Sequence, residues 1–273
     1  MKVFLSVDME GIAGIVNELE TDPVKGGQAY QESRRLMTRE ANAAIEGCLH
    51  GGAKEILVAD SHWNFDNLIP EELHEAATLL RGHPRAFSMV HDLDATFDAA
   101  MFIGYHAKAG TPRAILDHTY TGRIAKVEVN GLEVGETGIM GYLAGHHGVP
   151  VVLVTGDAAV AEEAKGLIPG VHVVAVKEAV SATAAKNLHP SRARDRIQHE
   201  AEKALRDRAA IRPIAARSPV EMAIVFKNTE HADRAELAPN AVREGGTRVT
   251  FRAPDYREAF RMFYVAVELA SAD

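Results

Sequence analysis

Cysteine is almost absent from this sequence, which contains one, Cys48, among its 273 residues. A single thiol cannot form a disulfide within the chain, and it rules out a metal cluster built from cysteine thiolates. Basic residues are also in the minority, with 30 Lys and Arg against 38 Asp and Glu and a formal net charge of −8. This balance argues against nucleic acid as a partner, because surfaces that bind DNA or RNA need a basic footprint.

Long hydrophobic runs are missing as well. The longest, such as residues 149–155, are far shorter than the roughly 20 residues that span a bilayer. The N-terminus lacks the apolar stretch and the small-residue cleavage site of a signal peptide. We therefore expect a cytoplasmic protein that has no membrane partner. The G-x-G-x-x-G and G-x-x-x-x-G-K-[ST] nucleotide-binding motifs are absent, and so is the H-E-x-x-H zinc motif.

The sequence does contain a regular alternation of short apolar runs and amphipathic segments. Hydrophobic residues make up 47% and charged residues 25% of the chain, a mixture that excludes a disordered protein. Apolar, β-branched runs predict strands, and apolar residues at helical spacing predict helices. The predicted order is strand 3–7, helix 28–50, strand 55–59, strand 99–103, helix 137–147, strand 151–154, helix 158–167, strand 171–176 and helix 190–208.

This alternation predicts an α/β fold in three layers, with a mixed, largely parallel sheet and helices on both of its faces. The run 124–129 is followed by Asn130-Gly131, a dipeptide typical of hairpins, which would turn the chain into residues 132–134. A smaller C-terminal βαβα portion follows a connector at 209–219. It comprises strand 222–226, helix 229–237, strand 248–252 and helix 255–271. We interpret residues 1–210 as a metal-binding α/β catalytic domain and residues 211–273 as a small α/β subdomain.

Two carboxylates, Asp8 and Glu10, stand at the end of the first predicted strand. Side chains at positions i and i+2 of a strand point to the same face, and α/β sheets place their binding sites at the carboxyl ends of their strands. Two carboxylates this close repel each other and need a cation or a shared proton. The alternative is that one acid faces the solvent or pairs with a lysine.

Histidines follow two further predicted strands, His62 within Asp60-Ser61-His62 and His106 within Gly104-Tyr105-His106-Ala107. A lone histidine is more often structural than a ligand, but these strand ends should cluster in space. Imidazole with carboxylate is the ligand set of zinc and its neighbours, whereas an all-oxygen set would suit magnesium or calcium. His118 lies in a polar loop, and Glu136 precedes a predicted helix, where the helix dipole alone would favour an acid.

Residues 6–12, Asp60-Ser61-His62, the segment 104–107 and Val134-Gly135-Glu136 together resemble the zinc-dependent D-aminopeptidases. The resemblance runs through most of the chain, and the opening motif combined with the ordered His and Glu positions is specific. It implies two Zn²⁺ ions per subunit, with Asp8 bridging them, and it implies that His118 is the catalytic residue. It also implies a homodecamer of two stacked pentameric rings. The metal ligands that it implies are Asp8, Glu10, His62, His106 and Glu136.

The function implied by the resemblance is hydrolysis of the N-terminal residue of short peptides or amides, in particular those that begin with D-alanine. Asp8, Glu10 and Glu136 supply three negative charges and two divalent cations supply four positive ones, so one bridging hydroxide would neutralise the centre. Three alternatives stay open. The site could serve a dinuclear phosphoesterase, it could prefer L-residues, or the chain could be a metal- or peptide-binding assembly module without catalytic activity.

Overall fold

A seven-stranded sheet forms the centre of the protein, for which a computed structural model describes residues 1–272. All neighbouring strands in it run parallel except the last pair, β8 and β9, which is antiparallel. Across the sheet the order is β3-β2-β1-β4-β7-β8-β9. The strands are β1 (Lys2–Val7), β2 (Glu55–Asp60), β3 (Ala77–Leu80), β4 (Ala99–Tyr105), β7 (Val151–Asp157), β8 (His172–Ser181) and β9 (Ala184–Asn187).

A second sheet of five antiparallel strands has the order β11-β12-β10-β5-β6. Asn130 and Gly131 both adopt positive φ, 51° and 82°, between β5 and β6. Such a turn joins two antiparallel strands tightly, so the predicted hairpin is confirmed. Because β5 pairs with β10, this sheet takes strands from both sides of residue 210, and the division into two domains stays a prediction. The strands are β5 (Ile124–Val129), β6 (Leu132–Val134), β10 (Val220–Phe226), β11 (Val242–Glu244) and β12 (Arg248–Ala253).

Helices flank the parallel sheet, and the predicted fold class is confirmed. Helices α2 and α5 pack against each other and against strands of this sheet, whereas α3 packs against β4, β7 and α7. Helix α7 also covers β10 and β12 and so links the two sheets. The helices are α1 (Glu18–Thr21), α2 (Gly27–His50), α3 (Glu136–His146), α4 (Ala158–Leu167), α5 (Pro190–Asp207), α6 (Thr229–Ala235) and α7 (Tyr256–Ser271).

The longest helix, α2, is amphipathic. It buries Tyr30, Met37, Ile45 and Cys48 towards the sheet and exposes charged side chains on its other face. This pattern is the usual one for a helix that covers a sheet in water. Among residues 1–272, no helix combines the length and the apolar character that crossing a bilayer would require.

The direction in which the chain leaves β1 determines where a site can form. From β1 the chain continues to β2 on one side, whereas from β4, the neighbour of β1 on its other side, the chain continues within this sheet to β7, so the direction reverses between β1 and β4. In open α/β sheets the crevice at such a reversal, outside the carboxyl ends of the strands, is the usual place for a ligand. Strand β4, which borders this crevice, is buried along its whole length.

Candidate metal centre and active site

The structure brings all six predicted site residues to this crevice. Asp8 directly follows β1, His62 follows β2 by two residues, and His106 directly follows β4. Glu136 is the first residue of α3, as the helix-dipole argument also allows. The remaining two lie on loops, one after β1 and one between β4 and β5. The six residues are Asp8, Glu10, His62, His106, His118 and Glu136.

The loop after β1 lies directly on the end of β4. The Gly11 N–H donates to the Gly104 carbonyl at 2.8 Å, and a Cβ on Gly11 would stand 1.9 Å from the carbonyl oxygen of Tyr105. Gly104 itself has φ +70°, and its Cβ would meet the Asp8 carbonyl oxygen at 2.4 Å. Glycine is therefore required at both positions, and this close approach carries the Asp8 and Glu10 carboxylates to the neighbourhood of His106.

Asp8 stands between two groups of ligand atoms. Its Oδ1 lies 3.4 Å from His62 Nδ1, and its Oδ2 lies 3.5 Å from His106 Nε2. On the first side, Glu10 Oε2 is 3.0 Å from the same His62 nitrogen. On the second side, Glu136 Oε1 is 3.2 Å from His106 Nε2. A carboxylate whose two oxygens face two separate groups has the arrangement of a bridging ligand.

His118 lies at the edge of the second group. Its Nε2 is 3.6 Å from Glu136 Oε1, and its ring stacks on that of His106 with 4.0 Å between the centroids. Its side chain is 27% exposed, whereas those of His62 and His106 are almost fully buried. His118 is therefore the most exposed histidine of the group, and it lines the crevice.

The orientation of each imidazole is fixed by a backbone carbonyl, which can only accept a hydrogen bond. His62 uses Nε2 to donate to Thr21 at 2.8 Å. His106 and His118 use Nδ1 to donate to Ala107 and Leu116, at 3.1 Å and 2.9 Å. The other nitrogen of each ring faces the carboxylates, and in the neutral ring it carries the lone pair that a cation can take. Such outer hydrogen bonds are typical of metal-binding histidines.

The donor atoms of this cluster fit a cation better than they fit each other. Asp8 Oδ2, Glu10 Oε2 and His106 Nε2 are buried and have no hydrogen-bond partner within residues 1–272. The separations of 3.0 to 3.6 Å match two ligands of one tetrahedral zinc ion, which lie about 3.3 Å apart when each bond is about 2.0–2.1 Å. These imidazole and carboxylate ligands therefore suit zinc.

The pKa values of Asp8, Glu10 and His118 are all shifted by burial and by the neighbouring charged groups. Burial, aided by the nearby Glu10, raises the pKa of Asp8 to about 7. Burial would do the same to Glu10, but His62 holds the pKa of that carboxyl well below its usual value. Burial and the adjacent His106 lower the pKa of His118. At neutral pH His118 is therefore neutral and can accept a proton at Nε2.

Two supporting residues went unrecognised in the sequence. Asp60 ends β2, and its Oδ2 accepts the backbone N–H groups of Asn67 and Leu68, both at 2.6 Å, which folds the loop after His62. Tyr120, with φ 67°, donates its backbone N–H to Glu136 Oε1 at 2.7 Å. An acid at a strand end before a polar loop is a signal that could have revealed Asp60, whereas no local pattern marks Tyr120.

Asp157 has a second contact besides the one that the sequence predicts. Its Oδ1 accepts the Val160 N–H at 2.9 Å, so its predicted role as the N-cap of α4 is confirmed. Its Oδ2 accepts the Ile115 N–H at 3.0 Å. Because Ile115 precedes His118 by three residues, this buried carboxylate also anchors the loop that carries the exposed histidine.

The cluster opens into a cavity of about 740 Å³. Carboxylates outnumber basic side chains along its wall, and the indole of Trp63, 53% exposed, stands beside His62. A cavity of this size suits a small ligand. Its acidic lining favours a ligand group of positive charge over an anion.

Known proteins match this chain over nearly its whole length. The sequence model of a family described as D-aminopeptidase matches residues 1–265. A curated D-aminopeptidase of Bacillus subtilis (strain 168) is 39% identical over 271 residues, which cover 99% of this chain and 98% of that protein. The solved structure of the zinc-dependent D-aminopeptidase DppA from Bacillus subtilis, described as a self-compartmentalizing protease, superposes with a TM-score of 0.96 at 38% identity. That match covers 100% of this chain and 99% of the other. As its motifs predicted, the chain belongs to the D-aminopeptidase family of peptidases.

Proposed function

We propose that the protein is a zinc-dependent aminopeptidase that removes the N-terminal residue from short peptides or amides, preferably D-alanine, at a centre of two zinc ions per subunit. The observation that carries this proposal is the position of Asp8, whose two oxygens face two separate groups of ligand atoms. The zinc dependence described for the solved relative supports it.

The shortest separations favour one division of the residues between two ions, and Glu10 also lies within reach of His106. Asp8, Glu10 and His62 would hold one, and Asp8, His106 and Glu136 would hold the other. When bound, zinc polarises a peptide carbonyl as a Lewis acid and lowers the pKa of water, which is the chemistry that amide hydrolysis needs. The protein contributes burial, which keeps the carboxylates away from bulk water, and the carbonyl contacts that hold each imidazole in the correct tautomer.

His118 is the group that moves the proton. Its Nε2 carries a lone pair and is open to the cavity, while its Nδ1–H is held by the Leu116 carbonyl. As a general base it takes a proton from the attacking water. As a general acid it then returns that proton to the leaving amine nitrogen. Burial, the largest cause of the lowered pKa of His118, disfavours a lasting positive charge on this ring, which promotes the return step.

The lining of the cavity favours a peptide over a phosphate ester. The free amino terminus of a peptide is cationic, and it meets a wall in which acids such as Glu18, Asp22 and Glu268 outnumber basic residues. A phosphate ester would need a clamp of positive charge on its oxygens. Hydrolysis of D-alanyl amides without hydrolysis of aryl phosphates is therefore the expected selectivity.

We also propose that the subunits assemble as a homodecamer of two pentameric rings. The self-compartmentalizing character described for the solved relative supports an assembly that encloses its active sites. The molar mass in solution, measured by light scattering, should be ten times that of one chain. The cytoplasmic location stays a prediction from the sequence.

The decisive experiment removes zinc with a chelator and restores it. We expect two zinc ions per chain by elemental analysis, loss of hydrolysis of D- and L-alanine amides after chelation, and recovery on adding zinc, with the D-alanine amide cleaved faster. A chelated protein that keeps full activity would contradict the zinc centre. Faster cleavage of the L-alanine amide would contradict only the stereochemical preference.

A second experiment tests His118. We expect His118→Ala to keep both zinc ions and to lose about 10²- to 10⁴-fold in turnover, the usual contribution of general acid–base catalysis. The matched control is His199→Ala, an exposed histidine on α5, which should change neither quantity. Full activity in His118→Ala would remove this residue from the mechanism.

A further inference from the structure

A buried lysine on β8 has no role in the reaction proposed above. Lys177 is 3% exposed, and its Nζ donates to the carbonyl oxygens of Glu10, Ile12 and Ile15 at 2.5, 2.9 and 2.6 Å. An ammonium group has three donors, and here each donor has one acceptor. Lys177 therefore has no donor left for a substrate, and each of these hydrogen bonds goes to the loop after β1.

A second buried charge holds the same loop from α2. Glu40 is 2% exposed, and its Oε1 accepts the backbone N–H of Ala13 at 2.9 Å. Residues 10–15, which we call the Glu10 loop, thus present carbonyl groups to Lys177 and an N–H group to Glu40. Burial lowers the pKa of Lys177 to about 8, and the charge of Glu40 opposes this shift. A buried ammonium is costly unless it is hydrogen-bonded, and the three carbonyls meet that condition here. Burial also raises the pKa of Glu40 to about 7, so the carbonyls are the main support of the ammonium.

The Glu10 loop needs such support because β1 ends at Val7. Asp8 directly follows the strand, and its own N–H donates to the Ile103 carbonyl at 2.8 Å. Glu10 lies three residues beyond the strand end, and its carbonyl is one of the groups that Lys177 holds. The carboxylate of Glu10 must nevertheless stay 3.0 Å from His62 Nδ1, so the backbone from which it projects must be fixed.

We infer that Lys177 is a positioning residue, which gathers the three carbonyls of the Glu10 loop and thereby aligns the Glu10 carboxylate with Asp8 and His62 as ligands of one of the two zinc ions. This inference rests on the proposed zinc centre. It predicts an asymmetric effect, because Glu10 is the one proposed ligand on the Glu10 loop and would serve one of the two ions. Loss of Lys177 should weaken the binding of one ion and leave the other unchanged.

The test titrates the metal-free full-length protein with zinc in competition with a chromophoric chelator, which gives both affinities without measuring activity. In Lys177→Met, whose side chain has a similar length and no charge, we expect one zinc ion to bind about 10- to 100-fold more weakly, the usual effect of removing an outer-shell contact. Lys177→Gln, which can donate to at most two carbonyls, should lose less.

The control for general destabilisation is Phe251→Ala, which removes a buried ring from β12 in the antiparallel sheet. It should lower the unfolding midpoint and leave both zinc affinities unchanged. If Lys177→Met does not fold, Lys177→Gln decides the question. Unchanged affinity for both ions in a folded Lys177 variant would overturn the inference. Failure of the unsubstituted protein to bind zinc would instead contradict the proposed function.

Discussion

The protein contains two clusters of acidic and basic side chains that differ in the kind of partner each carboxylate has. On the antiparallel sheet, Glu128 pairs with Arg248 at 2.9 Å, and Glu133 pairs with Lys126 at 3.0 Å. Each of these carboxylates has a permanently charged partner and is partly open to water. At the ends of the parallel strands, the carboxylates are buried and face the imidazole rings of histidines.

This difference shows which of the two clusters is complete. The paired cluster is electrically balanced by its own residues, and its contribution to stability is small because water screens it. The strand-end cluster leaves Asp8 Oδ2, Glu10 Oε2 and His106 Nε2 buried without hydrogen-bond partners within residues 1–272. Buried groups of this kind are costly on their own, so we interpret the cluster as a receptor for cations that come from outside the chain.

The largest effect should follow from neutralising the carboxylate shared by the two groups. We expect Asp8→Asn to lose at least one of the two zinc ions and all measurable peptidase activity, because both groups of ligands lose a charge that they share. Elemental analysis of the purified variant, together with hydrolysis of D-alanine amide, measures both.

The control for Asp8→Asn is Glu128→Gln, the same neutralisation within the paired cluster, and it should keep both ions and full activity. Equal zinc content in Asp8→Asn and the unsubstituted protein would show that the two clusters do not differ in the way proposed.

The next largest effect is expected on the stability of the fold rather than on zinc binding. Phe251 is buried in β12 and lies opposite Met222 in the antiparallel sheet. Truncating such a ring leaves a cavity and costs about 3–5 kcal/mol. We expect denaturant unfolding of metal-free Phe251→Ala to show this loss. The same variant, purified with its metal, should contain as much zinc as the unsubstituted protein. A loss of zinc from the folded variant would show that the antiparallel sheet also shapes the metal site.

A smaller effect is expected from Asp60, which belongs to the strand-end region but touches no ion. In Asp60→Asn the new amide group would face Asn67 Nδ2, a donor that now bonds to Asp60 Oδ1 at 2.8 Å. The loop that carries His62 should loosen, and zinc affinity should fall about 10- to 100-fold. Chelator competition measures this. Asp66→Asn, an exposed acid of the same loop, serves as the control and should bind zinc normally.

The sequence predicts the strand-end positions well because they follow a local rule. A short apolar run followed by a polar residue identifies Asp8, His62 and His106, and the topology of a parallel sheet then brings these residues together. The fold class follows from the same alternation of runs. These predictions need no knowledge of how distant segments meet.

Long-range contacts are the part that the sequence does not reveal. Lys177 follows a predicted strand, a position where a lysine normally faces water, and it is buried only because a loop more than 160 residues earlier covers it. The pairing of β5 with β10 is likewise a contact between distant segments. The short edge strands β3 and β9, which are partly exposed, depend on their neighbours more than on their own composition.

The smallest effect should come from the paired cluster itself. Arg248 joins Glu128 and Glu244, at 2.9 and 3.0 Å, on a partly exposed face. Exposed pairs contribute about 0–1 kcal/mol because solvation and side-chain entropy offset their attraction. We expect Arg248→Ala to lower the free energy of unfolding by less than about 1 kcal/mol, and to lower it less in high salt, since salt screens the pairs that it removes. Urea unfolding at two salt concentrations measures this difference. A loss comparable to that of Phe251→Ala would mean that the paired carboxylates depend on Arg248 as strongly as the buried carboxylates depend on a cation. The two clusters would then differ only in how deeply they are buried.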